Sequence, residues 1–123
     1  MSTREHLEPG PDHPITVTPT DGEVVVRVGD TVVARTTSAL TLQEADYPAV
    51  QYVPLDDVAP DVLQPSDTRT WCPYKGEASY WSLTANGTEL ADSVWGYPDA
   101  SPAVGRIAGH VAFYADRVSV TVG

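Results

Sequence analysis

Two dipeptides decide what this chain can fold into: Asn86-Gly87 and Gly29-Asp30, each set between alternating or β-branched runs. Asn-Gly suits a type I′ turn, where both central residues need positive φ, and glycine at the first central position suits a type II′ turn. The flanks agree, with ASYWSLTA and TELADSVW around the first and EVVVRV and TVVAR around the second. Two-residue loops then set the expected registers. Val26 should face Val33, and Val25 should face Ala34. In the other hairpin Leu83 should face Leu90, Trp81 Asp92, Ser79 Val94, Ala78 Trp95 and Tyr80 Ser93. Both faces of this second hairpin carry aromatic side chains, so it should be a central pair covered on both sides, or a pair with one core face and one ligand-facing side.

The remaining segments read the same way. Leu40–Leu42 is a short strand, and Tyr47-Pro48 and Tyr52-Val53-Pro54 bracket an extended stretch, since a residue before proline avoids the α region. Residues 56–63 offer a short helical turn closed by Pro65, and SPAVGRI offers another with Ser101 as cap and Pro102 in the first position. His110–Tyr114 and Arg117–Val122 alternate strictly, and an Ala115-Asp116 turn would set Phe113 against Val118 and Val111 against Val120. Seven or eight short strands result, with no sustained 3.6-residue pattern. The expected fold is all-β and mostly antiparallel: a small single-domain barrel or two-sheet sandwich with one or two short helical turns. Trp81, Leu83, Leu90, Phe113 and the alternating valines are its expected core. Residues 1–14, with Pro9, Gly10, Pro11 and Pro14, form a flexible N-terminal lead-in, and residues 15–123 a single β domain.

Charge narrows the partners. The chain of 123 residues carries a formal charge of -10, which repels phosphate backbones and anionic lipid, so neither nucleic acid nor a membrane is expected. No apolar run is long enough to span a bilayer, and the N-terminus lacks the pattern of a secretory signal, so a cytoplasmic location is expected. Cys72 is the only cysteine, which excludes a disulfide framework and a CxxC zinc site. His6, His13 and His110 have no metal-ligand spacing. No metal and no cofactor are expected. The oligomeric state stays open, with a homodimer among the alternatives.

The distinctive segment is Thr70–Trp81, TWCPYKGEASYW. Pro73 fixes one dihedral and holds Cys72 extended, and Gly76 lets the chain turn sharply into the next strand. Lys75, the only lysine, should project near the strand face that carries Tyr80 and Trp95. A lysine beside aromatic rings can cradle a small anionic or carbonyl-containing ligand. A lysine stem lying on a tryptophan is equally ordinary surface packing. Cys72 as a nucleophile needs a base, and His13 and His110 are the candidates. A free cysteine more often packs as a small hydrophobe. Glu44, Asp56 and Asp57 are available acids, and sequence alone assigns none of them a role.

Pieces spread along the chain carry a resemblance: CPYKG-ASYW at 72–81, ALTLQE-DYP at 39–48, YVPLDDV at 52–58, WGYP at 95–98 and VAFYADRV at 111–118. Together these pieces resemble the bacterial and fungal proteins collected as domain of unknown function 427, sometimes filed under a nucleotidyltransferase label. The resemblance implies a compact, mostly β fold and the pattern residues Thr70, Cys72, Pro73, Lys75, Gly76, Tyr80, Trp95, Tyr97 and Pro98. It implies no established reaction. Trp71 and Gly96 depart from what it implies at those positions. Nucleotidyl transfer needs clustered carboxylates for Mg²⁺ and a phosphate cradle, whereas Asp56-Asp57 is the only adjacent acidic pair and no P-loop or GxGxxG is present.

The expected function is binding of a small anionic or carbonyl-containing ligand in an aromatic-lined pocket near Lys75, with Tyr80, Trp95, Tyr97, Cys72 and Thr70 as the further site residues. No residue is assigned as catalytic. Two alternatives stand beside it: an enzyme acting on a small metabolite through Lys75 or Cys72, and a protein-interaction module. A second ionisable group within hydrogen-bond reach of Lys75 or Cys72 is the feature that separates binding from catalysis.

Overall fold

A computed structural model describes residues 4–123; positions 1–3 of the lead-in lie outside the described residues. The ten strands are β1 Ile15–Pro19, β2 Val24–Val28, β3 Thr31–Thr36, β4 Leu40–Glu44, β5 Val50–Pro54, β6 Leu63–Cys72, β7 Gly76–Ala85, β8 Thr88–Gly96, β9 His110–Phe113 and β10 Ser119–Val122. They form a seven-stranded antiparallel sheet, β1-β4-β5-β9-β8-β7-β6, and a three-stranded one, β10-β2-β3. The all-β expectation therefore holds in its two-sheet form, and no barrel closes. Among the described residues no helix is long and apolar enough to cross a membrane.

Both turn dipeptides act as their chemistry dictates. Asn86 and Gly87 have φ of 55° and 72°, the two positive values of a type I′ turn, while Gly29 alone is positive in its loop, at 57°. The strands beyond the turns hold two corrections. In the first hairpin the ladder slips by one residue between Val26 and Arg27, so Val26 faces Ala34 and Val25 faces Arg35. The bulge lets Val33 and Ala34, neighbours in sequence, both bury their side chains. In the second, Leu83 faces Leu90 as expected, but between Leu83 and Trp81 the pairing shifts by two residues. Trp81 consequently faces Val94, Tyr80 faces Trp95 and Ser79 faces Gly96. Asp92 absorbs the shift at φ 49°, a left-handed conformation that aspartate tolerates better than most residues. Its Oδ2 accepts from Thr68 Oγ1 at 2.7 Å, and its N–H donates to Ser82 Oγ at 3.2 Å.

Two further expectations change. β9 and β10 do not form a hairpin: β9 lies between β5 and β8, and β10 crosses to pair with β2 in the other sheet. Alternation buries Phe113 and Val118 either way. The expected turn over 56–63 shrinks to a single 3-10 turn at Leu55–Asp57. Pro65 does not close it; it sits within β6 opposite Trp81, which is permitted because β6 is an edge strand whose outer side needs no ladder hydrogen bond. The second 3-10 segment, Pro102–Ile107, lies where SPAVGRI predicts it, with Ser101 at the cap position but making no side-chain cap bond.

The large sheet is apolar on both faces. One face presents Val53, Leu83, Val94, Val111 and Phe113 to the valines of β2 and β3, closing the main core. The other carries Leu42, Tyr52, Ala78, Tyr97 and Ala112, partly covered by Val104 and Ile107 of the 3-10 segment. This second face is concave. In the strand order, β4 and β7 are four steps apart, or ~19 Å in a flat sheet at ~4.8 Å per strand. Yet Lys75 Nζ, at the head of β7, lies 2.5 Å from Glu44 Oε1 at the end of β4. Only a strongly curled sheet brings them together.

Candidate functional site

The site is built on the tight connection between β6 and β7. Cys72 pairs with Gly76, so Pro73, Tyr74 and Lys75 form the bend between them. Gly76 has φ 109°, and a Cβ there would also meet the Asp99 carbonyl at 3.3 Å. The Lys75 carbonyl accepts from Ser101 N–H at 2.9 Å, which ties the bend to the loop after β8. Held this way, the lysine side chain runs inward and the residue is only 8% exposed.

A charged residue so buried needs a partner, and Glu44 supplies it. Its Oε1 accepts from Lys75 Nζ at 2.5 Å and its Oε2 from His13 Nε2 at 2.7 Å. An ionised carboxylate only accepts, so the histidine nitrogen that faces it carries the hydrogen. Burial by itself would raise the Glu44 carboxyl, but the hydrogen bonds and charges of Lys75 and His13 outweigh it and leave the group below its ordinary 4.5. The His13 ring also stacks on Tyr74 at 4.0 Å between centroids, so one bend holds both ends of the His13–Glu44–Lys75 chain. The segment carrying His13 is anchored nearby. Trp71 Nε1 donates to the Glu5 carbonyl at 2.7 Å, Leu7 N–H to the Pro73 carbonyl at 3.0 Å, and Arg4 pairs with Glu77 at 2.8 Å.

Lys75 and Glu44 open onto a cleft of about 250 Å³ on the concave face. Five of the chain's six tyrosines line it, Tyr47, Tyr52, Tyr80, Tyr97 and Tyr114, together with Trp95. The Tyr97 ring lies 5.9 Å from Lys75 Nζ. Burial pushes the Tyr52 and Tyr97 phenols well above their ordinary value, with the neighbouring Glu44 charge adding to it. Burial and the neighbouring Tyr80 phenol raise Tyr114. These phenols therefore remain un-ionised hydrogen-bond donors at neutral pH.

Of the six residues expected at the site, Lys75, Tyr80, Trp95 and Tyr97 line this cleft. Thr70 stands behind it, its hydroxyl 2.9 Å from the Tyr80 hydroxyl, and borders a neighbouring recess with Asp92 and Arg117. Cys72 is not among the lining residues; it is half-buried against the cluster beneath. His13 is on Glu44, and His110 Nδ1 lies 3.1 Å from the Ala108 carbonyl. Asp57 receives the Thr36 hydroxyl at 2.6 Å, an engagement within the scaffold. Among the described residues no group of three or more histidine, cysteine or acidic side chains is placed to hold a metal ion.

Sequence reasoning left Glu44 unassigned and gave Tyr47, Tyr52 and Tyr114 no part in the site. All four lie inside the segments that carry the family resemblance, and that was the available signal. A family model described as a domain of unknown function, DUF427, matches residues 16–123. No curated protein matches the chain.

Proposed function

The chain belongs to the DUF427 family, and on that footing we propose that it binds a small molecule bearing a carbonyl oxygen next to an N–H or O–H donor, in the tyrosine-lined cleft at Lys75. One observation carries this reading: a buried lysine donor and a carboxylate acceptor stand side by side on the cleft wall, 2.5 Å apart. An ammonium has three N–H donors and a carboxylate oxygen can accept more than one hydrogen bond, so both retain capacity toward a ligand. A primary amide matches the pair, with its oxygen on Lys75 and its N–H on Glu44. A bare anion fits less well, because Glu44 already offsets the lysine charge and would repel it. The recessed, half-open position favours this reading over that of a flat interaction face.

A thermal-shift comparison of acetamide, glycolamide and acetate against the protein and its Lys75→Met variant tests the reading. At 100 times its dissociation constant a ligand adds about 2.7 kcal/mol, a shift of several degrees for a domain of this size. The amides should stabilise the parent and lose that effect in the variant. Stabilisation by acetate alone, or equal response of both proteins, would overturn it.

The His13–Glu44–Lys75 chain favours a second reading, in which the site moves a proton at the bound carbonyl compound. Exchange of the α-protons of bound glycolamide in D₂O, followed by NMR and abolished in Glu44→Gln, would support turnover; exchange at the rate of buffer alone would leave binding as the activity.

A further inference from the structure

The large sheet is split beside the cleft. β5 and β9 pair only at Val53↔Val111 and Pro54↔His110. An antiparallel ladder would continue through Tyr52 with Ala112, Gln51 with Phe113 and Val50 with Tyr114, and none of these rungs forms. The ladder stops there, and a groove of about 380 Å³ is lined by the unpaired ends of both strands. Its walls include Val26, Val53, Phe113, Val120 and Val122, and its lining is mainly apolar. Pro48, Val50, Trp95 and Tyr114 line both this groove and the cleft at Lys75. The cleft with its charged pair on one face of the sheet thus adjoins a mainly apolar groove at the unpaired ends of β5 and β9.

Protein interiors close over their apolar side chains, whereas this groove leaves a mainly apolar lining open at the surface. Here the opening is edged with side chains left in water, Val122 at 48% exposure and Tyr114 at 37%. We infer that the ligand is an amphiphile, with an amide-like head on Lys75 and Glu44 and an aliphatic tail that passes between β5 and β9 into the groove. This rests on the binding reading above and adds the ligand class to it. Continuity selects the occupant: the shared walls make the groove an extension of a site with a polar end, which an aliphatic chain attached to a polar head completes.

Calorimetric titration of a homologous series, butanamide, pentanamide, hexanamide and octanamide, tests the inference. Each methylene that enters the groove should tighten binding about fourfold, corresponding to about 0.8 kcal/mol per buried CH₂, and the heat capacity change should grow more negative with chain length. In Val122→Trp or Ala115→Trp, checked for native circular dichroism, the added indole should fill the groove and flatten the series while butanamide still binds. In Lys75→Met every member should weaken by a similar factor with the slope retained. A flat series in the parent, with binding lost in Lys75→Met, would overturn the tail and leave the head reading standing. An unchanged series in Lys75→Met would overturn the continuous site, and no binding by any member would remove both. A dimer in sedimentation equilibrium, broken by Val122→Trp and insensitive to chain length, would give the groove to a second copy and overturn the inference.

Discussion

Tyr80 and Trp95 stand directly opposite each other across β7 and β8, and they do so only because the ladder shifts by two residues between Leu83 and Trp81. A regular hairpin from the Asn86-Gly87 turn would pair Tyr80 with Ser93. The shift keeps every side chain on its own face, since two residues are one full period of a strand. It advances Trp95 along that face until its ring reaches the cleft with Tyr80 and packs near Tyr114, 4.5 Å away between centroids.

That alignment depends on Asp92 holding φ 49°. Asp92→Asn should keep the fold and the site. Asp92→Val should lower the urea midpoint and weaken amide binding, because a β-branched side chain is strongly disfavoured at positive φ. Urea unfolding followed by tryptophan fluorescence reads the first effect and calorimetry the second. Equal behaviour of the two variants would mean that the ladder shift is held from elsewhere.

Acid should weaken the protein partly through Glu44. Its carboxyl titrates below the ordinary 4.5 in the folded state, so the stability it contributes is present above that value and is lost as pH falls through the folded-state value. Glu44→Gln should cost about 1–3 kcal/mol at neutral pH, since it leaves the buried Lys75 ammonium without its anionic partner. The difference in Tm between parent and variant should hold steady above about pH 5 and shrink below it. A difference that stays constant down to pH 3 would contradict the assignment.

Gly96 is a packing requirement. A Cβ there would come within 2.7 Å of the His110 carbonyl oxygen and 3.5 Å of Trp81 Cζ3. Gly96→Ala should therefore destabilise by about 1–3 kcal/mol, the usual cost of overpacking, and loosen the β8–β9 contact beside the cleft. Chemical denaturation measures the loss. A gain in stability, as replacing an unstrained glycine normally gives, would show that β9 can yield.

Leu83 and Val32 form a matched contrast. Leu83 is fully buried in the core between the sheets, whereas Val32 is 37% exposed. Leu83→Ala should cost about 2–5 kcal/mol through lost burial and a residual cavity. Val32→Ala should change stability by less than about 0.5 kcal/mol. Urea midpoints of the two variants with unchanged slopes check both values.

What could be read from the sequence follows the range of the forces involved. Gly29 and Asn86 announce their turns because positive φ is a local property of the residue. The bulges at Val33 and Asp92 are not local. Asp92 is secured by Ser82 on β7 and by Thr68 on β6, and the second of these lies outside the hairpin that the sequence delimits. β9 and β10 alternate in the way a hairpin would, and the same pattern serves two strands that lie in different sheets. Tyr80, Trp95 and Tyr97 are legible as companions of Lys75 because they sit on one hairpin and its continuation. Glu44 is 31 residues from Lys75, and only the curl of the sheet makes them neighbours. His13, in a proline-rich segment with no strand pattern, reaches Glu44 because β1 pairs with β4, which sets Ile15 opposite Glu44.

The rims of the large sheet carry a consequence for the molecule in a crowd. β1 ends on Pro19 and β6 contains Pro65, and these two strands are the sheet's outer edges. A proline offers no N–H to an incoming strand, and the irregular pairing between Pro65 and Arg69 breaks the line of β6 further. A second molecule approaching either rim meets an interrupted template. Growth of this sheet from chain to chain, the first step toward fibrous aggregates, is obstructed at both margins by residues that leave the cleft itself untouched.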